Sequence, residues 1–271
     1  MTVSVVVSTI DSRVGLLERS LWCYTRQTLK PEVIVVADRP KMDSTKLLVE
    51  TYKDKLNVKY FEIGGSPGWR NGYGQNKGIH ESSGDIVVVT HPEVMMENDS
   101  IQAISARING EDNVCAMLMW VWLASYVDNI LEGNDRWRED MSFIREIVTQ
   151  PDYRWHVTPA AARKPFPGSL APHVESVLKA IEVAPDSSPT FWQSAAMTRK
   201  TWLRIGGFTL MNTWGSMDQD FIKRKAALGI PTKIVPALSY HQWHPQGPVQ
   251  NKFEVFNYAR PEDAIRELKW E

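Results

Sequence analysis

Apolar positions along the first half of the chain follow two alternating rhythms. Val3 to Ser8 is a nearly continuous apolar run, the pattern of a strand covered on both faces, and implies a parallel sheet. Val14, Leu17, Leu21 and Tyr24 then recur at helical spacing, and Pro31 separates that segment from a second apolar run, Val33 to Ala37. The alternation continues with a helix around Ser44 to Tyr52, a strand from Val58 to Ile63, a helix around Tyr73 to Glu81 and a strand from Ile86 to Thr90. A helix near Ser100 to Ile108 and a strand from Val114 to Trp122 follow. This regularity predicts an α/β doubly wound unit with right-handed crossovers and a mostly parallel sheet flanked by helices. Between Ser125 and Pro189 the rhythm fades into mixed charges and prolines, which predicts an insertion rather than a second domain. It returns with a regular segment from Phe191 to Thr198, a helix around Asp218 to Leu228 and a strand from Thr232 to Leu238. The expectation is a single domain over residues 1–271: a first half (1–124), the insertion (125–189) and a last part (190–271).

Composition narrows the partners. With 271 residues, 43% of them hydrophobic, the chain can build a substantial core. Its 31 basic and 32 acidic residues leave a formal charge of -1, so no global field draws it to nucleic acid or to an anionic membrane. Cys23 and Cys115 lack the close-spaced partners of a zinc site or disulfide framework and read as reduced core thiols. No apolar stretch reaches the roughly 18 residues of a spanning helix, and no basic leader precedes the first strand, so a soluble, cytoplasmic protein is expected.

The candidate chemistry lies where strands end. Gly84-Asp85 opens the run Ile86 to Thr90, which breaks off at His91-Pro92-Glu93. In open α/β sheets ligands bind beyond the carboxyl ends of strands, so a histidine and a carboxylate there are placed to hold a cation or a phosphate. Ser8, Thr9 and Asp11 follow the first strand, and Asp38 and Arg39 follow the second. Any one of these suits ordinary helix capping or loop polarity; as a set they converge on one sheet edge. The loop Gly64-Gly65-Ser66-Pro67-Gly68 lacks the spacing of a Walker or dinucleotide fingerprint and carries no ATP or NAD.

Two later clusters add to this set. Gly206-Gly207-Phe208 is followed by Trp214-Gly215-Ser216-Met217-Asp218-Gln219-Asp220-Phe221 and Arg224, placing two acids at a helix start, where the dipole alone would favour them. Tyr240-His241-Gln242-Trp243-His244-Pro245 follows the last strand; Pro245 makes a helix improbable there, and the spacing alone does not say which histidine is used. Eleven tryptophans are many for this length. Trp120 and Trp122 read as core, whereas Trp69, Trp192 and Trp214 are candidates to stack against an acceptor.

Together these segments resemble the nucleotide-sugar-dependent glycosyltransferases of the GT-A fold, and among them the large inverting family two. Val3 to Asp11 and Asp38 match that family's nucleotide-holding segments, Gln75-Asn76-Lys77-Gly78-Ile79 through Gly84-Asp85 matches its Asn-x-Gly-Ile stretch, and His91-Pro92-Glu93 falls on its Asp-x-Asp metal motif. Gly-Gly-Phe and Met217-Asp218-Gln219-Asp220 match its Gly-Gly-Phe and Glu-Asp-x-Asp segments. The resemblance implies transfer of a sugar from a UDP-, GDP- or dTDP-linked donor to a glycan or other hydroxyl, with inversion and with Asp218 as general base. It implies donor contacts from Ser8, Thr9, Asp11, Asp38, Arg39, Asn76, Lys77 and His91. Mn²⁺ or Mg²⁺ would be held by Glu93, His91, His241 and His244, and the acceptor by Trp69, Trp192, Trp214 and Asp220. Asp220 is also suited to pairing with a cation along its helix. The chain departs from the family at His91, at Glu93, at Gln75 where Arg is common, and at Met217 where Glu often stands. Imidazole accepts Mn²⁺ better than Mg²⁺.

Other readings leave distinct marks. A sugar-nucleotide pyrophosphorylase needs a Gly-rich basic loop after the first strand, which Ile10-Asp11-Ser12-Arg13 does not provide. A catalytically inactive nucleotide- or glycan-binding protein would explain His91 and Gln75, but not the retained Asp218. A DNA-modifying glycosyltransferase acting on a hydroxylated nucleobase would use cations such as Arg136, Arg138, Arg154, Arg163 and Lys164, which equally suit a solvated face.

Overall fold

Valine on both faces of the first strand has a direct structural cause. In the computed structural model, which describes residues 1–38, 42–64, 72–123, 131, 136–139, 141–148, 157–158, 182–183, 194–209 and 217–243, β1 (Val3–Thr9) lies inside the sheet. Val3, Val5 and Val7 face one core with Leu17, Leu21 and Tyr24, while Val6 faces the other with Ile34, Val36 and Ile79. β2 (Glu32–Asp38), β3 (Asn57–Ile63) and β4 (Ile86–Thr90) run parallel to β1 in the order β3-β2-β1-β4. Their crossovers are α1 (Val14–Arg26), α2 (Ser44–Glu50) and α3 (Tyr73–Glu81). Gly74 and Gly78, one turn apart, let α3 approach β1: a Cβ on Gly74 would overlap the Ser8 hydroxyl and one on Gly78 the Val6 Cγ1 methyl.

The remaining strands continue the same sheet, in the order β3-β2-β1-β4-β9-β6-β10-β5. They are β5 (Val94–Met96), β6 (Cys115–Trp122), β9 (Ser194–Thr198) and β10 (Thr232–His241). β9 is antiparallel to both β4 and β6, which sets β6 and β10 in the direction of β1. β10 runs three residues past the expected end at Leu238, because its last residues pair antiparallel with β5 and parallel with β6. Its register shifts between Val235 and Leu238, where Pro236 has no N–H to give the ladder. Helix α4 (Ser100–Ile108) matches its expected bounds, and α7 (Arg199–Ile205) and α8 (Met217–Ala227) complete the frame. No helix among the described residues is long and apolar enough to cross a membrane.

The segment expected to be an unpatterned insertion is tied to this frame. Its short helices α5 (Arg136–Glu139) and α6 (Ser142–Val148) bury Trp137 edge-on against Trp22, with ring centroids 5.3 Å apart, and set Met141 Sδ 3.8 Å from Cys23 Sγ. Arg145 holds the Glu97 carboxylate with two hydrogen bonds of 3.0 and 2.6 Å, and the buried Tyr240 hydroxyl donates to the same carboxylate at 2.6 Å. The two-residue strands β7 (Val157–Thr158) and β8 (Glu182–Val183) pair with β6 and β10.

At the amino edge of the sheet, Glu32 joins β2 to its neighbours. It accepts from the Ser4 hydroxyl, from Ser83 N and Oγ at 2.9 and 3.0 Å, and from Lys59 Nζ at 2.7 Å. Burial pushes its carboxyl up, but the ammonium and these donors outweigh burial and bring it down to about 2.

Candidate functional site

Because β1, β2, β4, β6 and β10 all point the same way, their carboxyl ends share one edge. Thr9 closes β1, Asp11 begins a 3₁₀ turn (Asp11–Arg13), Asp38 closes β2, and His91 and Glu93 follow β4. His241, the last residue of β10, is buried at the same edge.

Glu93 and His241 are 148 positions apart, and β10 and the tight turn after β4 bring them together. Val94 N donates back to His91 O at 3.2 Å, so Pro92 sits at the head of the turn. β5 then pairs with β10, with His241 opposite Val94. The Gln242 backbone N–H donates to Glu93 O at 2.8 Å, and His241 Nε2 lies 3.8 Å from Glu93 Oε1. That separation is less than two metal–ligand bonds of about 2.1 Å laid end to end, so the oxygen and the nitrogen fit as two ligands of one divalent cation. The oxygen-plus-imidazole set suits Mn²⁺ better than Mg²⁺. Among the described residues no group of three or more histidine, cysteine, aspartate or glutamate side chains is placed to hold a metal ion. Glu93 and His241 are the pair that could contribute to one.

Helix α1 braces both halves of this pair. Ser20 Oγ donates to Pro92 O at 2.7 Å or Val94 O at 2.9 Å, on the side of the turn. On the side of β10, Arg19 Nη1 donates to Gln242 Oε1, and Gln242 Nε2 to Leu16 O, both at 3.0 Å. Farther along, Gln27 Nε2 donates to Glu97 O at 2.7 Å. Leu16, Arg19 and Ser20 recur at helical spacing on one face of α1, and Gln27 directly follows its last residue.

Three residues expected to meet the donor make contacts within the protein. Ser8 packs under α3 at Gly74, on the face of β1 that α3 covers. Asn76 is buried, and its amide exchanges two 2.7 Å hydrogen bonds with the backbone of Phe208. Lys77 pairs at 2.6 Å with Glu81 one turn on, toward the amino edge, with its ammonium 5.4 Å from the Phe61 ring. For Asn76 the polarity that suggested a ligand joins two sequence-distant segments.

Asp220 likewise turns inward rather than to an acceptor. It is 2% exposed, and its Oδ2 accepts from Thr209 Oγ1 at 2.6 Å and from Arg224 Nε at 2.9 Å, the cation pairing that its helical spacing allowed. Arg224 Nη1 also donates to Ile205 O at 2.7 Å. Gly206 and Gly207 both have positive φ, 82° and 65°, and their N–H groups cap the last turn of α7, which is why two glycines stand there. Trp202, Phe208 and Phe221 then pack with centroids 5.3 to 5.5 Å apart, and Trp202 Nε1 donates to Val87 O at 2.8 Å. The whole Gly-Gly-Phe segment is thereby fixed between β4 and α8.

Asp218 lies in the first turn of α8. Arg39, Trp69, Trp192, Trp214 and His244 lie outside the described residues.

Two residues at or near this edge were not singled out from the sequence. Tyr60 on β3 has its hydroxyl pKa raised by burial and then by the carboxylates of Glu62, Asp11 and Asp43. Ser194 opens β9 opposite Thr90 and is buried. The period-two pattern marks each position but not its side chain's surroundings. The cysteines behave as expected: both are free and buried, and burial pushes Cys23 up to about 12 and Cys115 up to about 11, so neither supplies a thiolate at neutral pH.

No profile of a known protein family matches the chain. Validoxylamine A glucosyltransferase of Streptomyces hygroscopicus subsp. limoneus is 31% identical over 109 residues, which are 40% of this chain and 24% of that protein. The match thus spans about a quarter of the relative's length. Among solved structures, S. aureus TarS in complex with UDP-GlcNAc is similar at a TM-score of 0.62 and 15% identity, covering 94% of this chain and 62% of that one. TarS in complex with UDP gives 0.60 and 16%, covering 90% and 61%. The chain therefore has the GT-A fold, the fold of the nucleotide-sugar glycosyltransferases that its sequence resembles.

Proposed function

We propose that this protein is a glycosyltransferase that moves a sugar from a nucleoside diphosphate donor to a hydroxyl acceptor, with inversion at the anomeric carbon. One observation carries this reading: on a GT-A sheet, the turn after β4 and the end of β10 place Glu93 and His241 side by side at the carboxyl edge, 3.8 Å apart. The glucosyltransferase similarity and the UDP-GlcNAc complex of TarS support the choice of donor class.

In this reading the nucleoside lies over the ends of β1 and β2, against Thr9, Asp11 and Asp38, and the diphosphate extends toward His91. Glu93 and His241 hold a divalent cation, Mn²⁺ by their chemistry. When bound, that cation supplies positive charge to the departing diphosphate. Asp218 accepts the proton of the acceptor hydroxyl as the oxygen attacks the anomeric carbon. The bond from that carbon to the β-phosphate oxygen breaks, and the nucleoside diphosphate leaves with the electron pair. The fixed Gly-Gly-Phe segment and the Asp220–Arg224 pair hold the start of α8, and so Asp218, in register with the donor.

A thermal-shift panel of UDP, GDP, dTDP and CMP, each with Mn²⁺, Mg²⁺ or chelator, tests the donor half of this reading. A nucleotide present at 100 times its dissociation constant adds about 2.7 kcal/mol of stability. One diphosphate that stabilises only with metal is expected; no response to any nucleotide overturns the proposal. Release of nucleoside diphosphate from the matching sugar donor then separates an enzyme from a binding protein.

A further inference from the structure

Gln242 stands between the two candidate cation ligands without being one of them. Its side chain is fully buried, directly after His241, and its backbone N–H is bonded to the carbonyl of Glu93. The side-chain amide is used at both ends by α1: Oε1 accepts from Arg19 and Nε2 donates to Leu16 O, each at 3.0 Å. The same helix holds the opposite flank of the site through Ser20, whose hydroxyl can donate to Pro92 O or Val94 O. At the end of β10 the ladder is thinning: beyond His241 the strand ceases, and Leu123 N donates to His241 O at 2.8 Å as the flanking backbone bond.

We propose that Gln242 is a positioning residue for the Glu93–His241 pair, its amide acting as a two-ended brace that fixes the end of β10 against α1 so that both ligands address one cation. The proposal rests on the reading that Glu93 and His241 hold a divalent ion. It assigns the side chain a task that the backbone cannot perform. The backbone bonds from Gln242 N–H to Glu93 O and from Leu123 N–H to His241 O set the spacing of the strand end from its two neighbours in the sheet, but neither of them reaches α1. The amide adds two more attachment points on a rigid helix, and their plane fixes the direction in which the preceding imidazole projects. Groups that orient ligands in this way typically contribute 10- to 100-fold to metal affinity.

Gln242→Leu removes both side-chain bonds at similar volume, and Gln242→Glu keeps an acceptor for Arg19 while losing the donor to Leu16. Mn²⁺ binding to the full chain, read by the loss of free-ion electron paramagnetic resonance signal, is measured for wild type, both variants and Glu93→Gln. Wild type binding Mn²⁺, Glu93→Gln failing to, Gln242→Leu weakened 10- to 100-fold and Gln242→Glu lying between them is the expected result. Arg19→Met breaks the same brace from α1, and is expected to weaken Mn²⁺ binding in the same direction should Gln242→Leu fold poorly. Wild-type affinity in folded Gln242→Leu, or in Arg19→Met where the former does not fold, overturns the proposal and leaves the metal reading intact. No Mn²⁺ binding by wild type overturns both.

Discussion

Asn76 and Phe208, 132 positions apart, exchange two hydrogen bonds of 2.7 Å, so that one buried amide closes both backbone groups of an aromatic residue. This tie, more than any contact along the sheet edge, joins the crossover helix of the first half to the Gly-Gly-Phe segment of the second. Asn76→Ala leaves Phe208 N–H and C=O without it, and unsatisfied buried groups cost about 1 to 3 kcal/mol each. A loss of about 2 to 4 kcal/mol in urea unfolding is expected. Asn76→Asp should be worse at neutral pH than at acid pH, since a carboxylate there faces the Phe208 carbonyl. Wild-type stability in both would show that the tie is dispensable.

The Asp220–Arg224 pair is 1–2% exposed, which makes breaking it costly. Removing one member of a buried pair strands the other charge and destabilises by about 3 to 5 kcal/mol. Asp220→Asn and Arg224→Met are each expected to fall in that range by denaturant unfolding, and Asp220→Asn should keep donor affinity in whatever fraction folds. A selective loss of acceptor use, with stability unchanged, would instead return Asp220 to the acceptor site.

Asp218→Asn should behave in the opposite way. It removes the proposed proton acceptor, so turnover is expected to fall about 10²- to 10⁴-fold. Undiminished glycosyl transfer would assign the base to another group.

The amino edge gives the protein an acid-labile tie. Glu32 has its carboxyl lowered from 4.5 to about 2 in the folded state, so on acidification the unfolded chain takes up its proton first. The stability Glu32 contributes is therefore fully present above about pH 4.5 and is lost as the pH falls toward 2. The size is on the order of 2 to 3 kcal/mol. Glu32→Gln should flatten that part of the stability profile; an unchanged slope between pH 4.5 and 2 would contradict the assignment.

Close packing of α3 on β1 depends on the absence of two side chains. Gly78→Ala would force a methyl into Val6 and should cost about 1 to 3 kcal/mol, as overpacking does. A melting temperature equal to wild type would mean that α3 can lift from the sheet without penalty.

The parallel core was legible because Val3 to Val7, Val33 to Val36 and Ile86 to Val89 are apolar on both faces, which few other environments require. The end of β4 was legible for the same reason, since a strand's end is visible where such a run breaks, as at His91, whereas the last three residues of β10 were not, because Ser239, Tyr240 and His241 do not continue the apolar run. The three-residue β5 and the seven-residue α7 around Trp202 and Ile205 are too short to show a period. The roles of Asn76 and Lys77 were hidden for a different reason. A polar side chain that satisfies a distant backbone group and one that meets a ligand are the same letter in sequence, and only the folded contacts tell them apart. Gln242 belongs with them.

The position of β10 also bears on when the chain becomes competent. β1 to β4 assemble from contacts between neighbouring segments, whereas the pairing of His241 with Val94 closes a loop of more than half the protein. A ribosome-bound chain can therefore complete its first βαβ layers, with the ends of β1 and β2 already formed, long before Glu93 meets its partner. On the function proposed above, such an incomplete chain has the nucleotide end of the site before it has the cation end.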